Sequence, residues 1–99
     1  MDYRIVWLPD AERRFDATIE YLKQQWSDKE VKSFIDYTNH VIRLIQSNPT
    51  MFKKSTRRRI REVLITEHNL LLYRTVGDEI QLITFFDNRQ NPRKKYRSI

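Results

Sequence analysis

Apolar and polar residues alternate over residues 2–8. Tyr3, Ile5 and Trp7 share one face of an extended segment, and Arg4, Val6 and Leu8 share the other. The period then lengthens. Pro9 stands where a first helical residue belongs, because its missing N–H is no loss there. Asp10 and Glu12 follow in the first turn, where the positive end of a helix dipole favours acids. Ala11, Phe15, Ile19, Leu22 and Trp26 recur at three- and four-residue spacing, which predicts an amphipathic helix with one core-facing stripe. Ser27-Asp28-Lys29-Glu30 is a capping box that closes this helix and opens a second almost without a loop. The second stripe is Val31, Phe34, Ile35, Thr38, Val41, Ile42 and Ile45, and Asn48-Pro49 stops it. A tight joint between two amphipathic helices predicts an antiparallel helical hairpin.

After a loop over residues 50–56 the pattern becomes that of strands. Arg57 to Ile65 begins basic and ends apolar, as a strand emerging from a charged surface would. Residues 66–69 form a turn. Leu70 to Val76 is a strand, with Leu71 and Tyr73 on one face and Leu70, Leu72 and Arg74 on the other. Gly77-Asp78 is a turn pair, and its glycine suits a backbone needing positive φ. Glu79 to Phe86 is rich in β-branched and aromatic residues and reads as a buried central strand, with Ile83 and Phe85 on the parity of Arg89. Asp87 to Lys95 has almost no apolar residue. Asn88, Asn91 and Pro92 are turn formers, so the strand exit presents Arg89 at the surface with Arg93, Lys94 and Lys95 behind it.

Three strands at hairpin spacing make an antiparallel meander. The order strand, helix, helix, strand, strand, strand is of the α+β class: a two-helix hairpin packed on one face of a twisted, mainly antiparallel four-stranded sheet, in a single domain over residues 1–99. The second face of such a sheet is left partly open. Rimmed by cations, it would form a groove for an elongated anionic or helical partner.

The charge sharpens this expectation. The chain carries a net charge of +6, all of it from the second half. Residues 1–50 hold seven Lys/Arg against eight Asp/Glu, whereas residues 51–99 hold twelve against five. Such asymmetry points to an anionic partner. There is no cysteine, hence no disulfide or thiolate chemistry, which fits a reducing cytoplasm. The start of the chain turns at once into a strand pattern, so no signal peptide is expected. No apolar run is long enough to cross a bilayer, so no membrane partner is expected either.

Two histidines, no cysteine and no carboxylate cluster at ligand spacing argue against a metal, and nothing resembles a glycine-rich phosphate loop, so no cofactor is expected. His40 falls on the polar side of the second helix. His68, at a hairpin turn between basic strands, could serve as a general acid or base; an ordinary turn histidine is the blander reading. Lys53, Lys54, Arg57, Arg58, Arg59 and Arg61 form one cationic group, and Arg89, Arg93, Lys94, Lys95 and Arg97 form another. Tyr73 and Arg74 lie between them in sequence and complete the candidate binding set. If the first and last strands of the meander both approach the sheet centre, the two groups meet on one surface. An arginine fork can grip two phosphate or carboxylate oxygens at once, and the Tyr96 ring could stack on a base or donate its hydroxyl.

The order of elements, the start Tyr3-Arg4-Ile5-Val6-Trp7 with Pro9 and Ala11, the segment His68-Asn69-Leu70-Leu71-Leu72-Tyr73-Arg74 and the exit Asp87-Asn88-Arg89-Gln90-Asn91-Pro92 together resemble the RelE/ParE superfamily of toxins. The resemblance covers essentially the whole chain. It implies the small toxin of a bacterial type II toxin–antitoxin module, of the kind linked to plasmid stabilisation, neutralised by a cognate antitoxin that wraps its sheet and helices. RelE-like members are ribosome-dependent endoribonucleases that cut mRNA; ParE-like members are not enzymes of this kind and poison DNA gyrase. On the nuclease branch the resemblance makes Arg89, Tyr96 and His68 the catalytic candidates, with Lys53 and Lys54 near the RNA-binding lysines. The arginine that RelE-like nucleases carry shortly before the strand tyrosine is missing, since Leu70 or Asn69 fills its slot. By analogy with other oxyanion sites that loss is worth about 3 kcal/mol of transition-state stabilisation. The resemblance therefore leans to the ParE-like activity, with the mRNA nuclease as the alternative and a non-toxic co-repressor held by an antitoxin as the second.

Overall fold

The computed structural model describes residues 2–57 and 59–97. The elements run β1 (Arg4–Trp7), α1 (Pro9–Gln25), α2 (Asp28–Ser47), β2 (Lys53–Lys54), β3 (Arg61–Thr66), β4 (Asn69–Val76), β5 (Glu79–Asp87) and a short 3-10 turn (Pro92–Lys94). The α+β layering and the helical hairpin are as the periodicity predicts. The sheet is not: it has five strands in the order β1-β5-β4-β3-β2, and β1 lies parallel to β5. The fifth strand is the pair Lys53–Lys54, which adds to the edge of β3 opposite Glu62 and Arg61. Both lysines are exposed and neither carries an apolar signal, so the sequence reads as loop there.

Leu8 caps α1 in an extended conformation and Pro9 takes the first helical position. Ala11 is fully buried, and Phe15, Ile19 and Leu22 pack with it against the core. Trp26 does not join the stripe. It leaves the helix in an extended conformation and is 60% exposed, because the chain must turn there towards α2. Ser27 caps α2, with its carbonyl accepting the Glu30 and Val31 N–H groups. Its hydroxyl meets the Glu30 carboxylate instead of a backbone N–H, so the capping box is present in residue type but its side chains bond to each other. In α2, Val31, Phe34, Thr38, Val41, Ile42 and Ile45 are buried. Gln46 donates to the Tyr3 carbonyl at 2.6 Å and ties the far end of α2 to β1.

The expected strand from Arg57 begins only at Arg61. Before it the chain folds back on itself: Ser55 N–H donates to the Ile60 carbonyl at 2.8 Å, Ile60 N–H to the Arg57 carbonyl at 3.3 Å, and Arg59 stands at φ 66°. Gly77 stands at φ 60° in the β4–β5 turn, as a glycine there should.

A β-bulge separates the two sheet faces in an order that simple alternation misses. Leu72 pairs with Thr84 but Tyr73 pairs with Leu82, so Ile83 is the extra residue. Ile80, Leu82 and Phe85 therefore face the helices, with Leu71 and Tyr73 from β4. Ile83 and Phe86 face the other way, with Leu70 and Leu72. Ile83 and Phe85 thus lie on opposite faces, not on one. The second face is not an open groove along its length. Ile60, Leu8 and Tyr96 close over its apolar cluster, and Leu64, 49% exposed, marks what stays uncovered. Opposite it, Trp7, Phe15, Phe34 and Phe85 form a chain of ring contacts at 5.1–5.9 Å that joins β1, both helices and β5.

Candidate functional site

The turn from Ser55 to Ile60 is pinned by Ile60, whose side chain is buried in the second-face cluster. With Ile60 held inward, Arg57 and Arg59 are left outside. A left-handed conformation at an arginine costs about 1 kcal/mol and persists only where its surroundings enforce it. Between this turn and the adjoining ends of β3 and β4 lies a cleft of about 470 Å³, lined in part by Lys54, Arg57, Arg59, Arg61 and Arg74. Arg61 spends one guanidinium N–H on the Phe52 carbonyl at 2.8 Å, and Arg74 donates to Gln81 at 2.8 Å. Among the described residues none of these five cations has a carboxylate partner. Tyr73 reaches the same cleft only by its edge. Its ring is fully buried, and its hydroxyl donates to the Pro49 carbonyl at 2.7 Å. Burial pushes that hydroxyl up to about 12, against the pull of the Arg61 charge. Tyr73 is thus a core residue. Arg58 lies outside the described residues.

The C-terminal segment crosses the second face to reach this turn. Asn91 caps the 3-10 turn by accepting the Arg93 N–H at 3.0 Å, and Arg93 and Lys94 stay exposed. Lys95, only 19% exposed, forms an ion pair with Glu62, whose other oxygen lies 3.8 Å from Lys53. Tyr96 shares its hydroxyl with Ser55, and with Thr56 at 3.0 Å, while Arg57 sits over its ring at 4.8 Å. Burial tends to raise the Tyr96 phenol. The Ser55 and Thr56 hydroxyls, the Arg57 backbone and the Lys95 charge together outweigh burial and leave it below its ordinary value. Glu62 escaped the sequence reading. An acid set inside a basic run, Arg61-Glu62, was the available signal.

Arg89 lies elsewhere. Asp87 pairs with Asn69 at the start of β4, whereas Arg61 pairs with Tyr73 four residues further on, about 13 Å of strand. The exit turn is fixed there by Asn88, which donates from its backbone to the His68 carbonyl at 3.0 Å and from its side chain to the Glu67 carbonyl at 3.1 Å. Arg89 is clamped by Asp87 and borders a second, larger groove of about 710 Å³ with His68, Glu67, Arg14, Tyr21 and Trp26. His68 Nε2 lies 3.2 Å from the Glu67 carboxylate. The expected meeting of the two cationic groups therefore happens only in part. Lys95 and Tyr96 join the Lys53–Arg61 region, and Arg89 does not.

Among the described residues no group of histidines and carboxylates is placed to hold a metal ion, and no helix is long and apolar enough to cross a membrane.

The helical hairpin covering one face of a five-stranded mixed sheet is a fold shared with solved structures of toxin–antitoxin proteins. A toxin–antitoxin ParDE structure from Pseudomonas aeruginosa superposes with a TM-score of 0.74 at 15% identity, over 87% of this chain and 96% of that one. The YoeB dimer from Staphylococcus aureus superposes at 0.62 and 17% identity, over 87% and 97%. The Escherichia coli DinJ–YafQ toxin–antitoxin complex superposes at 0.62 and 7% identity, over 90% and 96%. No curated protein sequence matches the chain. The family model of the ParE toxin of the type II toxin–antitoxin system parDE matches residues 5–92, and the chain belongs to that family.

Proposed function

We propose that this toxin arrests growth by poisoning DNA gyrase and does not cut mRNA, and that a cognate antitoxin neutralises it. The observation that carries the reading is the separation of the three residues a nuclease would need together. Arg89 and His68 border one groove, while Tyr96 is bound to Ser55 and Thr56 beside another cleft. Arg89 also already has a carboxylate in its fork, so it offers little charge to a phosphate. Leu70 and Asn69 supply no replacement cation, and Leu70 is buried in the apolar cluster. Cleavage through a pentacovalent phosphate needs donors converging on one atom, and that convergence is what these residues lack. The antitoxin partner rests on the family, and on structural relatives described as toxin–antitoxin complexes.

Induction in cells lacking the antitoxin should raise a DNA-damage response and leave mRNA intact. A translation block with cuts inside translated codons, and no DNA damage, would overturn the reading. One observation favours the nuclease as a second reading: the Tyr96 hydroxyl, with its lowered pKa, lies against the Ser55–Arg57 segment next to Lys54. Primer extension on total RNA decides between them.

A further inference from the structure

We propose that the cleft between the Ser55–Ile60 turn and the ends of β3 and β4 binds an oligophosphate group, the di- or triphosphate moiety of a small molecule. This goes beyond the choice of cellular target and holds for either. Lys54, Arg57, Arg59, Arg61 and Arg74 all line a space of about 470 Å³, and among the described residues no carboxylate is paired with any of them. Acids are available nearby. Glu62 lies beside Arg61 in sequence, yet its carboxylate is engaged by Lys53 and Lys95, away from the cleft-lining cations. Five like charges brought together without a counterion repel one another, and a compact anion of three or four negative charges relieves that repulsion.

The backbone supports the same assignment. Arg59 is held at φ 66°, a conformation an arginine adopts at a cost, and it lines the cleft. Arginine forks suit the paired oxygens of phosphates. Among the described residues the cleft offers no ring on which a base could stack. Tyr73 is fully buried, and the neighbouring Tyr96 ring is covered by Arg57 at 4.8 Å and flanked by Lys95 at 5.7 Å. Proteins that grip single-stranded nucleic acid combine a cationic track with open aromatic platforms. Among the described residues the cleft has the cations without an open ring, so the phosphate chain is what the site reads.

The test is calorimetric titration of the full chain with sodium tripolyphosphate at fixed ionic strength. One saturable site per chain is expected, with a Kd below about 1 mM. The double variant Lys54→Gln, Arg59→Gly should weaken it by about tenfold or more, the effect of losing two charge-assisted contacts. Its melting temperature should not fall, since glycine accepts the left-handed conformation at position 59. Lys29→Gln with Arg43→Gln removes the same charge from exposed positions on α2 and should change binding by less than about twofold. Equal weakening by both double variants, or no saturable binding, overturns the proposal. ATP binding as tightly as tripolyphosphate supports it, because the phosphate chain alone is read, and ATP binding more than about tenfold more tightly overturns it in favour of a site that also reads the nucleoside. A 5′-hydroxyl oligonucleotide that binds more tightly than tripolyphosphate at the same salt overturns it in favour of a nucleic-acid backbone.

Discussion

Asp87 grips the guanidinium of Arg89 with both carboxylate oxygens, at 3.0 Å from Nε and 2.6 Å from Nη2, and accepts the Arg89 backbone N–H at 2.9 Å. The arginine that a sequence reader would offer to an external phosphate is thus occupied from within. The same contacts, Arg89's side-chain hydrogen bonds first, hold the Asp87 carboxyl down at about 2 from its ordinary 3.8. A carboxylate whose folded pKa is depressed stabilises the fold above its unfolded pKa, and the contribution is lost as pH falls through the folded value. The pair is partly solvent-exposed, so screening limits it to about 0.5–1 kcal/mol. Asp87→Asn should cost that much at pH 7. The gap between variant and parent in urea denaturation should close between about pH 4 and pH 2.

Tyr73 gives the opposite sign at the other end of the pH scale. Its hydroxyl is raised from 10.0 to about 12, chiefly by burial. The fold therefore favours the protonated phenol. That contribution is complete below pH 10 and is lost as pH rises towards 12. Spectrophotometric titration of the five tyrosines should show one ionising late, and Tyr73→Phe should abolish that late step. The same variant loses the hydrogen bond to the Pro49 carbonyl and should be destabilised by about 1 kcal/mol.

Thr84 sits at the bulge, 2% exposed, and donates to the Asp10 carboxylate at 2.6 Å, fastening β5 to the first turn of α1. Asp10 also holds Arg14 at 2.9 Å and Arg13. Thr84→Val keeps the shape and removes the donor to a charged acceptor. It should cost about 1.5–3 kcal/mol in chemical denaturation. Thr84→Ser should recover most of that loss.

The parts of the fold legible in the sequence are those where burial follows a period. The stripe from Val31 to Ile45 and the split of Leu71 and Tyr73 from Leu70 and Leu72 emerge as patterning predicts. What was hidden depends on contacts between distant segments. Lys53 and Lys54 become a strand only because β3 offers an edge. The parallel partnership of β1 and β5 is decided by the path of the helical hairpin and leaves no trace in local composition. The bulge at Ile83 breaks a parity rule in the middle of an unbroken apolar run, where nothing marks the slip. The candidate site was half legible for the same reason. The sequence names the cations one by one, but only the folded chain shows that Asp87, two positions before Arg89, settles where that arginine's charge goes.

Tyr96 separates the two activities most directly. On the nuclease reading its hydroxyl would meet the reacting nucleotide, and removing it would abolish toxicity. Its observed contacts are internal: it shares the hydroxyl with Ser55 and Thr56, rests its ring on the second-face cluster and carries Arg57 over that ring. Each contact fastens the end of the chain to the turn that follows β2, alongside the Lys95–Glu62 ion pair. Tyr96→Phe keeps the ring and loses only the hydroxyl bonds, so it should lower stability by about 0.5–1.5 kcal/mol. Growth arrest on induction should remain as strong as with the parent chain. Tyr96→Ala, which also removes the packing, should loosen the segment and raise amide exchange at residues 93–97. Full loss of growth arrest in Tyr96→Phe, with the protein still folded by circular dichroism, would make this tyrosine a reacting group and return the chain to the mRNA-cleaving branch.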